Sequence, residues 1–283
     1  MTHHTILVLG GTGKTARRLV PLLAAGGARP RTAARSGGDA TFDWYDDRGH
    51  DAALEGVDAV YLVPPAGRLD HPPKVAAFLD RAERAGVRHV TMLSAYGVDL
   101  APDDAALRAV ELDLAARTGL THSIVRPSWF MQNFTESFFA PSIAQDGVIV
   151  APTGDGTEAF VSTADIAAVV AATLLDPAAH AGAAHDIAGP EALTLGQVAG
   201  VVSRHAGKEV SHVDLDRDVW VAQAQSAELP ADYAEVLAGL FDLIRAGHGS
   251  RPGATVEEVT GRAPESFEAF AAREGAAWRA GAA

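Results

Sequence analysis

The string GGTGKT at residues 10–15 holds the residue types that bind phosphates, and its spacing decides whose phosphates they are. A nucleoside-triphosphate loop needs G-x-x-x-x-G-K-[ST], and counting back from Lys14 puts the first required glycine at Val8, so that frame fails. The dinucleotide frame fits in two registers, Gly11-x-Gly13-x-x-Ala16 and Gly10-x-x-Gly13-x-x-Ala16. Both registers use one turn. In it Gly10, Gly11 and Gly13 permit positive φ and let a pyrophosphate approach backbone N–H groups at the positive end of the following helix.

An NAD-preferring site places Asp or Glu on the ribose hydroxyls about 20 residues beyond this fingerprint. Here no acidic residue occurs before Asp39, whereas Lys14, Arg17, Arg18, Arg29, Arg31 and Arg35 all precede it in a chain of net charge −13. Arg35 directly follows the second expected strand, where a guanidinium can fork onto a 2′-phosphate and a carboxylate would repel it. NADPH is therefore expected in preference to NADH, with Lys14 as a second contact. Arg17, Arg18, Arg29 and Arg31 read as solvated helix and strand positions.

The elements that must position this turn are legible as an alternation. The apolar β-rich run at 5–9 and further strand-like segments at 28–34, 41–43, 59–63, 88–94 and 121–126 are separated by helical patterns, among them 12–25 and 71–86, where Val75, Phe78, Leu79 and Ala82 recur at helical spacing. Such alternation predicts an α/β fold with a doubly wound parallel sheet and right-handed crossovers. Ligands of such sheets bind beyond the carboxyl ends of the strands, so GGTGKT, ARSGG, FDW, VPP, SAY and RPSWFMQNF are the segments to read for chemistry. After Pro141 the pieces are smaller: 148–150, the turn TGDGT, a helix at 163–175, a strand near 185–187 and further helices. We expect a dinucleotide-binding part over 1–150 and a smaller C-terminal substrate-side cap over 151–283. Asp165, at the start of the 163–175 helix, is expected to cap orphan N–H groups.

At 283 residues and 48% hydrophobic content the chain can bury a large core, and its negative charge argues against nucleic acid or an anionic membrane as partner. No cysteine is present, which excludes disulfides and thiolate chemistry, and the 11 histidines show no paired metal spacing, so no metal is expected. Without a signal peptide pattern or an apolar span, a cytoplasmic protein acting on a small-molecule substrate is expected.

The succession GGTGKT, FDW, VYLVPP, TMLSAYGV, IVRPSWFMQNF and TGDGTEAFVSTADIA resembles the NmrA-like atypical short-chain dehydrogenase/reductases, most nearly their agroclavine and festuclavine dehydrogenase-like branch. The likeness runs through TGRAPESFEAFAAREGAAW near the C-terminus. It implies a Rossmann-like domain for NADP(H) or NAD(H), with a small C-terminal part closing over substrate. The family includes reductases of imines, ketones and quinones, and also cofactor-sensing regulators that catalyse nothing. By this resemblance Gly10, Thr12, Gly13, Lys14 and Thr15 match the phosphate turn, Asp43 the adenine contact, and Val63, Pro64 and Pro65 the loop beside the nicotinamide ribose. Ser94, Ala95 and Tyr96 match the strand-end segment facing the nicotinamide, and Pro127 to Phe130 its far wall. Trp129, Phe130 and Met131 are expected to form an apolar substrate surface with Asn133 as a polar contact, although strand-end aromatics serve equally as core.

Short-chain reductases commonly use a Tyr-x-x-x-Lys pair to protonate a carbonyl oxygen as hydride arrives. This chain has none: the residues four places after Tyr45, Tyr61, Tyr96 and Tyr233 are Gly49, Pro65, Leu100 and Leu237, and its lysines are Lys14, Lys74 and Lys208. Two readings follow. One is a reductase whose substrate accepts hydride without a protein acid, such as an iminium, a self-assisted ketone or a quinone, with Ser94 and Tyr96 as orienting groups. The other is a regulator that binds cofactor without catalysis.

Overall fold

The computed structural model describes residues 4–249 and 251–279. In chain order the first stretch carries β1 (Thr5–Leu9), α1 (Lys14–Ala25), β2 (Arg29–Ala34), β3 (Ala40–Thr41), α2 (His50–Leu54), β4 (Ala59–Leu62), α3 (Pro72–Arg84), β5 (His89–Leu93), α4 (Ala106–Ala116) and β6 (Thr121–Pro127). There follow α5 (Ala140–Asp146), β7 (Val148–Val150), β8 (Thr157–Glu158), α6 (Thr163–Leu175), α7 (Pro177–His180) and β9 (Ala184–Ile187). The remainder holds β10 (Leu193–Thr194), α8 (Leu195–Ala206), β11 (Ser211–Val213), α9 (Arg217–Ser226), α10 (Ala231–Arg245), α11 (Thr255–Thr260) and α12 (Phe267–Glu274).

Packing divides the chain into two compact units, and not at residue 150 as expected. The first unit comprises the residues up to Pro127 together with Thr163–Ile187 and Thr255–Arg262. Its sheet has the order β3-β2-β1-β4-β5-β6-β9, with every pairing parallel. All five residues of β1 are buried, as a central strand covered by helices on both faces must be. Leu7 and Leu9 join Val60, Leu62, Phe78 and Leu114 in one apolar cluster. The expected Rossmann-like α/β architecture is thus present.

Two elements assigned to the cap from sequence belong to this unit instead. Strand β9 pairs with β6 from Ile124↔Ala184 to Pro127↔Ile187. Helix α6 packs on α1, and a Cβ added at Gly26 would come within 2.4 Å of Leu175 Cδ1. The reason is apolarity on nearly every side, since Ile166, Ala167, Val169, Val170 and Leu174 are all buried, which suits a helix sandwiched in a layer rather than one on a cap. Asp165 lies buried in the first turn of α6. The second unit comprises Ser128–Ser162, Ala188–Ala254 and Ala263–Ala283, built on a separate core that includes Phe134, Phe139, Phe241, Phe267 and Trp278.

At the amino-terminal end of β5, His89 is 2% exposed, with Nδ1 2.9 Å from Thr121 Oγ1 and Nε2 3.2 Å from Thr91 Oγ1. Burial, reinforced by His122 and His180, pushes its pKa down to about 4. Between that value and the ordinary 6.5 the unfolded chain binds a proton that the folded chain refuses, so stability rises with pH across this window. We expect about 3 kcal/mol to be lost as pH falls from 7 to 4 through this residue. Urea unfolding of the protein and of His89→Asn over that range measures it; two parallel stability–pH curves would remove the assignment.

Candidate functional site

The glycine turn joins β1 directly to α1. Gly10 has φ +62°, and its carbonyl accepts from Gly13 N–H at 2.7 Å. Gly11 donates its N–H to Ala33 O at 3.0 Å, and a Cβ there would meet Thr32 Cβ at 2.6 Å, so glycine is required for the turn to sit against β2. Gly13 takes the N-cap position with extended backbone, which starts the helix at Lys14 rather than at the expected Thr12. It supplies no side-chain cap, and the first turn of α1 carries no acidic residue. The amides next to Thr12, Lys14 and the buried Thr15 are therefore suited to an external anion.

Arg35 is exposed immediately after β2 and, among the described residues, makes no hydrogen bond or ion pair. Its loop lies over the glycine turn, for a Cβ built at Gly37 would be 3.5 Å from Thr12 Cγ2. Asp39 closes the loop by accepting from both Thr32 N and Thr32 Oγ1 at 2.9 Å. The backbone bond from Thr32, then its hydroxyl, hold the Asp39 carboxyl below the usual range. That carboxylate braces the loop.

Asp43 follows β3, and its Oδ1 accepts from Tyr45 N at 2.9 Å while its carbonyl receives His50 Nε2 at 2.8 Å. The adjacent Trp44 donates Nε1–H to Val63 O at 3.1 Å, which ties this turn to the segment that follows β4. Pro64 is buried and Pro65 half-buried in that segment. Farther along it, Tyr45 donates its hydroxyl to Asp70 at 2.7 Å, with Arg68 4.1 Å and Lys74 4.7 Å from the ring centroid. Sequence spacing missed this tyrosine–lysine neighbourhood, because the partners are remote in the chain. Desolvation and then the bond to Asp70 raise the Tyr45 pKa, whereas a tyrosine activated by a lysine has its pKa lowered.

Beyond β5, Ser94 is 7% exposed, and its Oγ has no hydrogen-bond partner among the described residues. Ser94 N–H donates to Val125 O, and Tyr96 N–H to Pro127 O at 3.0 Å, so β6 holds the Ser94–Ala95–Tyr96 segment by its backbone. Tyr96 is 37% exposed and bonds to no lysine among the described residues. Another residue without a sequence-derived role is His71, buried at the start of α3 with its Nε2 unpartnered. Its only local signal was the pair Pro72-Pro73, which marks a helix start.

In the second unit Trp129 is half-buried and stacks on Phe241 with centroids 5.0 Å apart, and Phe130 is also half-buried. Met131 departs from expectation. It is fully buried in the core of this unit, so its side chain serves packing rather than a substrate surface. The cause is the backbone bond from Met131 N to Val161 O, which begins a 3₁₀ turn and directs the chain inward. Asn133 ends that turn half-buried, its carbonyl accepting from Phe139 N at 2.8 Å. Among the described residues no group of three or more His, Cys, Asp or Glu is arranged for a metal, and no helix is long and apolar enough to cross a membrane.

The model of the NmrA-like family matches residues 2–268. This chain belongs to that family. Among its NmrA-like relatives, the uncharacterized oxidoreductase YesF of Bacillus subtilis is 36% identical, with 98% of each chain covered. An agroclavine dehydrogenase of Claviceps fusiformis is 33% identical over 97% of this chain and 98% of its own. Of solved structures, the NADPH-dependent quinone oxidoreductase of Escherichia coli complexed with NADPH superposes with a TM-score of 0.74 at 23% identity, covering 95% of this chain and 99% of the other. Full-length likeness to named oxidoreductases makes this NmrA-like chain an enzyme of that class.

Proposed function

We propose that this protein is an NADPH-dependent reductase that transfers hydride to a small cyclic or aromatic metabolite, an imine, a ketone or a quinone. The observation that carries the reading is the glycine turn leading into an uncapped α1, with the unpaired Arg35 beside it. The amides of α1 take the pyrophosphate, and Arg35 takes the 2′-phosphate that no acidic residue repels. Bound there, NADPH supplies the hydride. In this reading Asp43 serves the adenine and Val63 to Pro65 and Ser94 to Tyr96 the nicotinamide half, while Trp129, Phe130 and Asn133 are the residues assigned to substrate. The substrate class draws support from relatives, one named for agroclavine and a solved neighbour for quinones.

Chemistry without a protein acid fits the side chains present. Tyr45, whose ring centroid lies 4.7 Å from the Lys74 ammonium, has its hydroxyl committed to Asp70, and Tyr96 makes no hydrogen bond to a cationic side chain among the described residues. The protein then acts by orienting the electrophile and excluding water. A panel of cyclic imines, quinones and polycyclic ketones, followed by NADPH consumption, tests the reading; binding of NADPH with no turnover on any of them would favour the cofactor-sensing regulator. On an accepted substrate, Ser94→Ala and Tyr96→Phe should each lower kcat by no more than about tenfold, the scale of one orienting hydrogen bond. A fall of about a thousandfold for Tyr96→Phe with NADPH affinity intact would make Tyr96 the proton donor.

A further inference from the structure

The segment joining β4 to α3 ends on a histidine whose bonding is half complete. His71 is 3% exposed, and its Nδ1 lies 2.9 Å from Arg68 O. A carbonyl only accepts, so Nδ1 carries the hydrogen and the neutral ring presents a lone pair at Nε2. Burial, the leading influence, lowers the His71 pKa and favours that neutral form. Nε2 itself is shielded from solvent and has no partner among the described residues. A buried acceptor left unmet is costly, which points to a donor from outside the chain.

Donors on the adjoining segments are engaged elsewhere: Tyr45 gives its hydroxyl to Asp70, Arg68 its Nε and Nη2 to the same carboxylate, and Trp44 its indole N–H to Val63 O. The location narrows the donor further. Strands β2 and β4 flank β1 on opposite sides, so a dinucleotide whose pyrophosphate rests on the β1–α1 turn sends its adenosine toward β2 and Arg35, and its other nucleoside toward β4 and β5. Leu62 pairs with Met92, which brings Val63–Pro65 out beside Leu93–Ala95 at the carboxyl ends of these strands. There Ser94 Oγ is another buried polar atom without a partner among the described residues.

We propose that His71 Nε2 accepts a hydrogen bond from a hydroxyl of the nicotinamide ribose, a positioning contact that fixes the hydride-bearing ring. The proposal rests on the nicotinamide-cofactor reading above. Since Nε2 is shielded by its surroundings, the hydroxyl enters with a rearrangement of residues 66–70, where Gly67 has φ +80°.

The test uses NADPH and its forms deoxygenated at the 2′ or 3′ position of the nicotinamide ribose, titrated calorimetrically into the protein, His71→Phe and His71→Gln. The phenylalanine variant keeps an aromatic ring without the acceptor, and glutamine returns an acceptor oxygen at similar reach. We expect His71→Phe to weaken NADPH binding about tenfold, His71→Gln to restore most of it, and one deoxy form to bind the protein and His71→Phe equally well. In the unaltered protein, the 15N resonance of His71 Nε2 should move with NADPH and stay in place with that deoxy form, a readout independent of how the variants fold. An equal loss for all three nucleotides, or no loss, overturns the contact while leaving the cofactor reading standing. Failure of the unaltered protein to bind any of them overturns both.

Discussion

Arg126→Met is expected to cost the protein about 3–5 kcal/mol of stability, the largest effect of any single substitution considered. Arg126, 8% exposed near the end of β6, holds Glu111 of α4 through Nε–Oε1 at 2.9 Å and Nη2–Oε2 at 2.8 Å. Glu111 is 1% exposed. Removing the cation leaves a buried carboxylate whose remaining charged neighbour is Arg108, 3.3 Å away and not buried, so repayment of the desolvation is incomplete. Replacing both partners, Arg126→Met with Glu111→Leu, should recover at least half of the loss, because no charge is then stranded. Guanidinium unfolding of the two variants decides the matter, and a single variant within about 1 kcal/mol of the parent would mean that the pair is solvated. The effect reaches the candidate site through β6. Arg126 Nη1 also lies 3.6 Å from Asp99 and from Asp186, and the next residue, Pro127, accepts from Tyr96 N, so the single variant should loosen the Ser94–Tyr96 segment as well.

Arg35→Ala is expected to weaken NADPH binding about ten- to hundredfold while leaving NADH nearly unchanged, the loss of one charge-assisted phosphate contact. Arg35 makes no bond among the described residues, so its removal breaks nothing in the fold, and the variant should melt with the parent. The nearest acidic residue in sequence, Asp39, is engaged by Thr32 and braces the loop, which leaves no prepared carboxylate for a ribose diol. Titrations with both nucleotides on parent and variant measure the gap. Equal affinities in the parent would end the phosphate assignment, and a gap that persists in the variant would transfer it to Lys14.

The site was legible where its logic is local. A glycine turn is written in adjacent residues because positive φ and close backbone approach are properties of single positions, and Gly10 and Gly11 behave as those positions require. The succession of β1 to β6 along the chain was legible from alternating strand and helix patterns for the same reason. The lack of a Tyr-x-x-x-Lys pair is likewise a fact of spacing that no folding could alter.

What spacing cannot carry is the partner of a residue remote in the chain. Trp129 and Met131 are two positions apart in one apolar run, yet Trp129 is left half-buried on Phe241 while Met131 turns into the core. Composition gives both the same apolarity, and the 3₁₀ turn anchored on Val161 separates them. Strand β9 and helix α6 read as cap pieces because they follow the change of pattern, whereas their burial against β6 and α1 depends on surfaces assembled from the first 127 residues. The ion pair of Arg126 with Glu111, the occupied hydroxyl of Tyr45 and the open nitrogen of His71 belong to the same class. Sequence by itself determined the glycine turn, the parallel sheet and the absence of a Tyr-x-x-x-Lys spacing, since each is set by neighbouring residues; tertiary structure alone decided which polar atoms are bonded within the protein and which are left without a partner among the described residues, because that depends on distances between segments far apart in the chain.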